Sequence, residues 1–187
     1  MRIIAGDFRG RALASVGKGD QAAHLRPTTD RVRESLFNII GSGRFDDPIT
    51  DARVLDLFAG TGALGLEAMS RGADQLCCVE MGSKSLSILR KNIEICGVSE
   101  RTQVKKMDAT RLPKCEAAPY SLIFLDPPYR QGLGEKALQC AARQGWIAEN
   151  ALVIWEEGSD VSPPDGFSVL DQRTFGDTQA TFLRYAV

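Results

Sequence analysis

Apolar and polar positions alternate along the chain in blocks that change period. Val54 to Phe58 is a short apolar run that ends in Gly60-Thr61-Gly62, and Ala63 to Arg71 then reads as a helix closed by Gly72. The unit is strand, glycine loop, helix. Gln75 to Glu80 repeats the strand, and Ser83 to Cys96 carries Leu86, Leu89, Ile93 and Cys96 at helical spacing before Gly97 stops it. Thr102 to Met107, Leu122 to Leu125 and Leu152 to Glu156 read as three further strands, with a helix over Leu133 to Arg143 before the last of them. Such alternation predicts an α/β domain with a mainly parallel sheet covered on both faces. The final strands, Ser168 to Thr174 and Ala180 to Tyr185, are joined by Phe175-Gly176-Asp177-Thr178 and predict an antiparallel hairpin at the sheet edge.

Ahead of this core, Ile3 to Leu13 is interrupted at Gly6 and Gly10 and predicts a small hairpin. Thr28 or Thr29 then caps a helix whose inward stripe is Val32, Leu36, Ile39 and Ile40, with Asp30 near its positive end. Val16 to His24 reads as a loop.

Length and charge refine the picture. The 187 residues suffice for one packed domain with a small appendage. The first 44 residues hold eight basic and four acidic side chains, whereas the remainder holds 15 and 20, so a basic arm of net +4 sits on a body of net −5. One face is therefore expected to meet a polyanion. The expected division is residues 1–44 as a basic arm and helix that contact the polyanion and cover the cofactor, and 45–187 as the main domain. Five cysteines without a CxxC pair, no secretory leader and no window of membrane-spanning length predict a cytoplasmic protein with no membrane contact.

Candidate chemistry begins at the glycine loop, Asp56-Leu57-Phe58-Ala59-Gly60-Thr61-Gly62-Ala63-Leu64-Gly65. Its GxGxxG spacing suits close approach of a nucleotide and by itself leaves a dinucleotide open. Glu80, at the second strand end, suits the ribose hydroxyls of either cofactor. Asp56 would repel a pyrophosphate but attract the ammonium and sulfonium of S-adenosylmethionine. Asp108, after the third strand, can accept from an adenine amino group, with the Ala109 backbone beside it and Met81 against the ring. Phe58, Ala59, Gly60, Thr61 and Gly62 complete the expected cofactor set.

After the fourth strand comes Asp126-Pro127-Pro128-Tyr129. The prolines donate no N–H, which leaves nearby carbonyls free to accept. An exocyclic base amine is a poor nucleophile because its lone pair is delocalised into the ring. Accepting its two N–H bonds, on the Asp126 carboxylate and the Pro127 carbonyl, would turn that lone pair towards a methyl donor, while Tyr129 stacks on the base. The base must then leave its helix or loop. A single histidine, His24, gives no basis for metal or histidine catalysis, so no metal is expected.

These residues resemble class I S-adenosylmethionine methyltransferases with a DPPY motif, and among them the bacterial family that methylates guanine N2 in small-subunit (16S) ribosomal RNA. The resemblance spans nearly the whole chain. It includes Arg2-Ile3-Ile4-Ala5-Gly6, Arg9-Gly10-Arg11, Leu25-Arg26-Pro27-Thr28, Asp30 to Glu34, Leu36-Phe37-Asn38, Leu55 to Gly65, Glu80, Asp126 to Tyr129 and Phe175 to Thr178. It implies a Rossmann-like, mostly parallel seven-stranded sheet with a C-terminal antiparallel hairpin and a small basic N-terminal extension. It also implies S-adenosylmethionine as cofactor and Asp126, Pro127, Pro128 and Tyr129 as the catalytic segment. The implied partner is 16S ribosomal RNA, free or in an assembling small subunit, held by Arg9, Arg11, Arg26, Arg31 and Arg33, with the protein a monomer. Rival readings are a DNA adenine-N6 or protein glutamine-N5 methyltransferase, and an RNA-binding module with a non-catalytic nucleotide pocket. The arginine-rich arm argues against a protein substrate, and the lack of a separate target-recognition domain against sequence-specific DNA.

Overall fold

A computed structural model describes residues 1–15 and 30–186. The expected loop from Val16 to His24, the Leu25 to Thr28 motif with Arg26, and both cap candidates lie outside the described residues.

Seven strands form one sheet in the order β3-β2-β1-β4-β5-β7-β6. They are β1 (Arg53–Leu57), β2 (Gln75–Glu80), β3 (Thr102–Lys106), β4 (Tyr120–Leu125), β5 (Ile147–Glu157), β6 (Phe167–Phe175) and β7 (Thr178–Tyr185). The first five run parallel, and β7 enters antiparallel between β5 and β6. Helices α1 (Asp30–Ile40), α2 (Ala63–Ser70), α3 (Ser83–Cys96) and α4 (Leu133–Arg143) complete the architecture. The Rossmann-like order puts the β1 and β4 carboxyl ends side by side at the middle of the sheet, where loops converge on a ligand crevice.

Alternate residues of each strand feed two apolar layers. Val54, Phe124, Ile154 and Phe182 face α2, α3 and α1, and they share that layer with Ile3 and Leu13 of the arm and with Leu36, Phe37 and Ile40. Leu55, Leu57, Ile123, Val153, Trp155 and Leu183 face the other way, against Ala137, Leu138 and Ala141 of α4. Central strands buried on both faces explain why β1 and β4 read as continuous apolar runs.

β5 begins five residues before the apolar run that predicts it. Asn150 adopts a left-handed backbone, φ 61°, and the β4–β5 register shifts between Tyr120 and Leu122. The irregularity lets polar Glu149-Asn150 pass within the strand. The expected N-terminal hairpin is a single antiparallel bridge, Arg2 with Ala12. Its fixation comes from α2: the Ile4 and Ala5 amides donate to the Glu67 carboxylate at 2.8 and 3.0 Å, and the Asp7 amide donates to the Ser70 carbonyl at 2.8 Å. At Gly6, φ 80°, a Cβ would stand 1.7 Å from that carbonyl oxygen, so only glycine fits.

Candidate active site

The glycine loop is shaped by one carboxylate at each side. Glu80 Oε2 accepts from the Gly60 amide at 2.8 Å, and its Oε1 accepts from the Gly82 amide at 2.6 Å, which ties the ends of β1 and β2 together. Asp56 is buried, and its Oδ2 accepts from the Gly65 amide at 3.1 Å. Gly65 permits this close approach of α2 to the sheet, because a Cβ there would come within 2.6 Å of Leu76. Phe58 takes φ 63°, a conformation disfavoured outside glycine, at the point where the chain leaves β1. Asn92, which no motif flagged, donates to the Thr61 carbonyl at 2.9 Å and accepts from the Ala14 amide at 2.7 Å, so it joins loop, α3 and arm.

Asp108 caps a short 3₁₀ turn, accepting from the Thr110 amide and hydroxyl at 2.8 and 2.7 Å. These bonds hold its carboxyl below the ordinary range. Ala109 beside it is buried, whereas Met81 is 64% exposed. Glu80, Met81, Asp108 and Ala109 therefore all lie at the carboxyl ends of β2 and β3, as sequence spacing predicts.

Asp126 and Pro127 follow β4 directly. Burial pushes the Asp126 carboxyl well above its usual range, and Glu156, Asp56 and Glu157 add to the rise. Asp56 is pushed up to about 7, chiefly by burial, against the opposing Gly65 hydrogen bond and with repulsion from Glu80 and Glu156. The Glu156-Glu157 pair at the end of β5 was not singled out from sequence. Its signal was an acidic doublet closing an apolar strand, the same position that drew attention to Glu80. Beyond the prolines, the Tyr129 hydroxyl lies 3.0 Å from Thr178 Oγ1, and Glu157 Oε1 accepts from the Arg130 amide at 3.0 Å.

The arginines divide into two groups. Arg33, expected to meet a polyanion, is completely buried: it donates to the Arg2 carbonyl, lies 2.9 Å from Asp30 and 3.7 Å from the buried Glu67. It cannot reach an external phosphate, and the sequence reading of that residue is corrected accordingly. Arg11 is exposed, but its Nη1 donates to the Ile95 and Cys96 carbonyls at 3.0 and 2.8 Å, at the carboxyl end of α3 where cations are favoured. Arg9 and Arg31 are exposed and line a cleft of about 430 Å³ with Arg2, Asp30 and Glu34. A second cleft, of about 630 Å³, runs from Asp108 and Arg111 to Lys136 and Arg143 of α4.

Strand order 3-2-1-4-5-7-6, a glycine loop after β1 and an Asp-Pro-Pro-Tyr segment after β4 define a Rossmann-like class I methyltransferase. The conserved hypothetical protein 95 family matches residues 1–184. The chain belongs to that family, which places it with the ribosomal RNA small subunit methyltransferase D proteins. It is 39% identical to the one from Escherichia coli over 156 residues, covering 83% of this chain and 74% of that protein. It is 33% identical to the one from Haemophilus influenzae over 181 residues, covering 94% and 89%. Among solved structures, the Escherichia coli protein yhhF superposes with a TM-score of 0.84 at 35% identity, over 100% of this chain and 98% of that one. No helix among the described residues is long and apolar enough to cross a membrane.

Proposed function

We propose that this protein transfers a methyl group from S-adenosylmethionine to the exocyclic N2 amine of a guanine in 16S ribosomal RNA. The observation that carries the reading is the half-buried Asp126, which follows β4 directly, precedes Pro127 and has the buried Asp56, Glu156 and Glu157 as its acidic neighbours. Such a set of mutually repelling carboxyls favours a cationic ligand with hydrogen-bond donors, and it disfavours a pyrophosphate. Glu80 would take the ribose, Asp108 and the Ala109 backbone the adenine with Met81 against it, and the Phe58 to Gly62 loop the rest of the cofactor. S-adenosylmethionine, when bound, supplies an electrophilic methyl carbon on a cationic sulfur.

The remaining work falls to residues of this chain. Asp126 and the Pro127 carbonyl accept the two amine N–H bonds, so that the nitrogen lone pair is no longer committed to the ring. Tyr129 offers a face on which the extruded base can stack, worth about 1–3 kcal/mol. A carboxyl whose affinity for protons is raised by burial is also suited to hold the proton that the nitrogen loses once methylated. Arg9 and Arg31, with Arg2, supply positive charge for the RNA backbone, and the names of the relatives agree with an RNA substrate.

The deciding experiment is mass spectrometry of ribosomal RNA nucleosides from a deletion strain and its parent. N2-methylguanosine from the small-subunit RNA should fall, and the wild-type gene but not Asp126→Ala should restore it. Loss of a different methylated base, with N2-methylguanosine unchanged, would move the assignment to another acceptor.

A further inference from the structure

The Phe175-Gly176-Asp177-Thr178 turn lies on the other side of β5 from the residues assigned to chemistry so far. We propose that Thr178, together with Glu157 and Gly158, is a positioning residue for methyl transfer, setting the Tyr129 ring at the angle from which it receives the base. The inference rests on the reaction proposed above.

Pro127 and Pro128 have no N–H to donate, so the segment leaving β4 cannot fasten itself to a neighbour through two consecutive amides. Fixation has to come from side chains and from the residues that follow. The Tyr129 hydroxyl meets Thr178 Oγ1 at 3.0 Å, and either can donate. The next amide, Arg130, donates to Glu157 Oε1 at 3.0 Å, and the same oxygen accepts from the Gly158 amide at 3.0 Å. Arg130 itself takes φ 62°, unusual for a residue with a side chain, so the turn is imposed by its surroundings.

The third contact is steric. A Cβ at Gly158 would lie 2.8 Å from Tyr129 Cδ2, which means that the ring rests directly on the backbone at that position. Gly158 is not in the left-handed region, so ring contact alone separates it from alanine.

The two anchors belong to one rigid frame. Glu157 pairs with Gln179 across β5 and β7, and Thr178 pairs with Phe175 across the hairpin. Tyr129 is thus held from the hydroxyl end by β7 and from beneath by the end of β5. Neither Thr178 nor Glu157 need touch substrate for this. A site held by strand residues is set more precisely than one left to a free loop.

A double-substitution cycle in single-turnover methyl transfer tests the assignment, with small-subunit ribosomal RNA as acceptor. Thr178→Val should slow transfer roughly tenfold, as expected for one hydrogen bond, with S-adenosylmethionine affinity and thermal midpoint nearly unchanged. Thr178→Ser should recover most of the rate. In a Tyr129→Phe background, Thr178→Val should add nothing further, because the hydroxyl it served is gone. Gly158→Ala, with Thr178 intact, should produce a similar fall by lifting the ring.

A second readout needs no substrate. The chain has three tyrosines, and Tyr120 and Tyr185 lie at the far ends of their strands, so ¹³C-tyrosine NMR isolates Tyr129. Its ring signals should shift in Thr178→Val and Gly158→Ala but stay in place in Thr178→Ser. An unshifted ring, a full rate in Thr178→Val, or an equal further loss in the Tyr129→Phe background each overturns the proposal. If the wild-type protein leaves ribosomal guanine unmethylated, the reaction assigned above fails, and the NMR comparison still decides whether these residues set the ring.

Discussion

Arg33 of α1 and Glu67 of α2 face each other in the interior, Nε 3.7 Å from Oε2, with neither side chain exposed. Glu67 also receives the Ile4 and Ala5 amides and Arg71 Nε at 2.8 Å, so one carboxylate gathers the arm and two helices. Removing Arg33 would leave Glu67 paired with Arg71 and the two amides, but it would delete a completely buried side chain together with its bonds to the Arg2 carbonyl and Asp30.

Arg33→Ala should therefore destabilise the protein by about 2–4 kcal/mol, through the buried volume and hydrogen bonds it removes. The neighbouring Arg31→Ala, on the exposed face of the same helix, should stay within about 0.5 kcal/mol of wild type. Urea midpoints measured side by side check the contrast, and equal midpoints would show that the buried pair is not structural.

Arg9 and Arg31 have the opposite profile. Replacing both by alanine should leave cofactor affinity intact while making the dependence of log affinity for RNA on log salt shallower by about 1–2. Filter binding across a salt series reads this directly. An unaltered slope assigns the cleft to structure.

Asp56 gives a pH signature. Its carboxyl is raised in the folded protein to about 7 from the ordinary 3.8, so its stabilising contribution is complete below the unfolded value. That contribution disappears as pH rises through the folded value. Asp126 acts in the same direction. The cofactor-free protein should lose stability from about pH 4 to about pH 8, and Asp56→Asn, which can still accept from Gly65, should flatten the decline. Urea midpoints at several pH values decide the matter. A profile as steep in the asparagine variant as in wild type would exonerate Asp56.

Asp126→Ala should retain cofactor binding and lose methyl transfer by roughly 10²-fold or more. Asp126→Asn keeps one acceptor oxygen and should retain more activity, with the deficit in turnover rather than in binding. Single-turnover rates in a protein of unchanged stability are the measurement, and a wild-type rate for the alanine variant would make Asp126 a turn residue.

Periodic features were legible in the sequence, and features made by tertiary coincidence were not. β1, α3 and the C-terminal hairpin followed from runs and spacings that are purely local. The early start of β5 escaped notice because Glu149-Asn150 breaks the apolar pattern, and a left-handed asparagine with a register shift absorbs the break. At the site, Glu80, Asp108 and the proline segment could be found because each closes a strand. The role of Asn92 could not, nor could the contact of Thr178 with Tyr129, although the Phe175 to Thr178 motif itself is recognisable; the partners are 31 and 49 residues away, and a polar residue in a helix or hairpin carries no mark of such a partner. Arg33 was misread for a related reason. Its neighbours in sequence are exposed arginine and glutamate, and only its position over Glu67 turns it inward.

The insertion of β7 between β5 and β6 makes the outermost strand depend on its neighbour. Among the described strands β6 pairs with β7 alone, so it has no place in the sheet until β7 has docked along Leu152 to Glu157. Until then the outer edge of β5, an apolar stretch from Ala151 to Trp155, is an open template for any other extended chain. A nick or a slow turn at Gly176-Asp177 would leave Tyr129 without its Thr178 partner and the β5 edge uncovered. Aggregation during expression, rather than a lower melting temperature, is the defect to look for in hairpin variants.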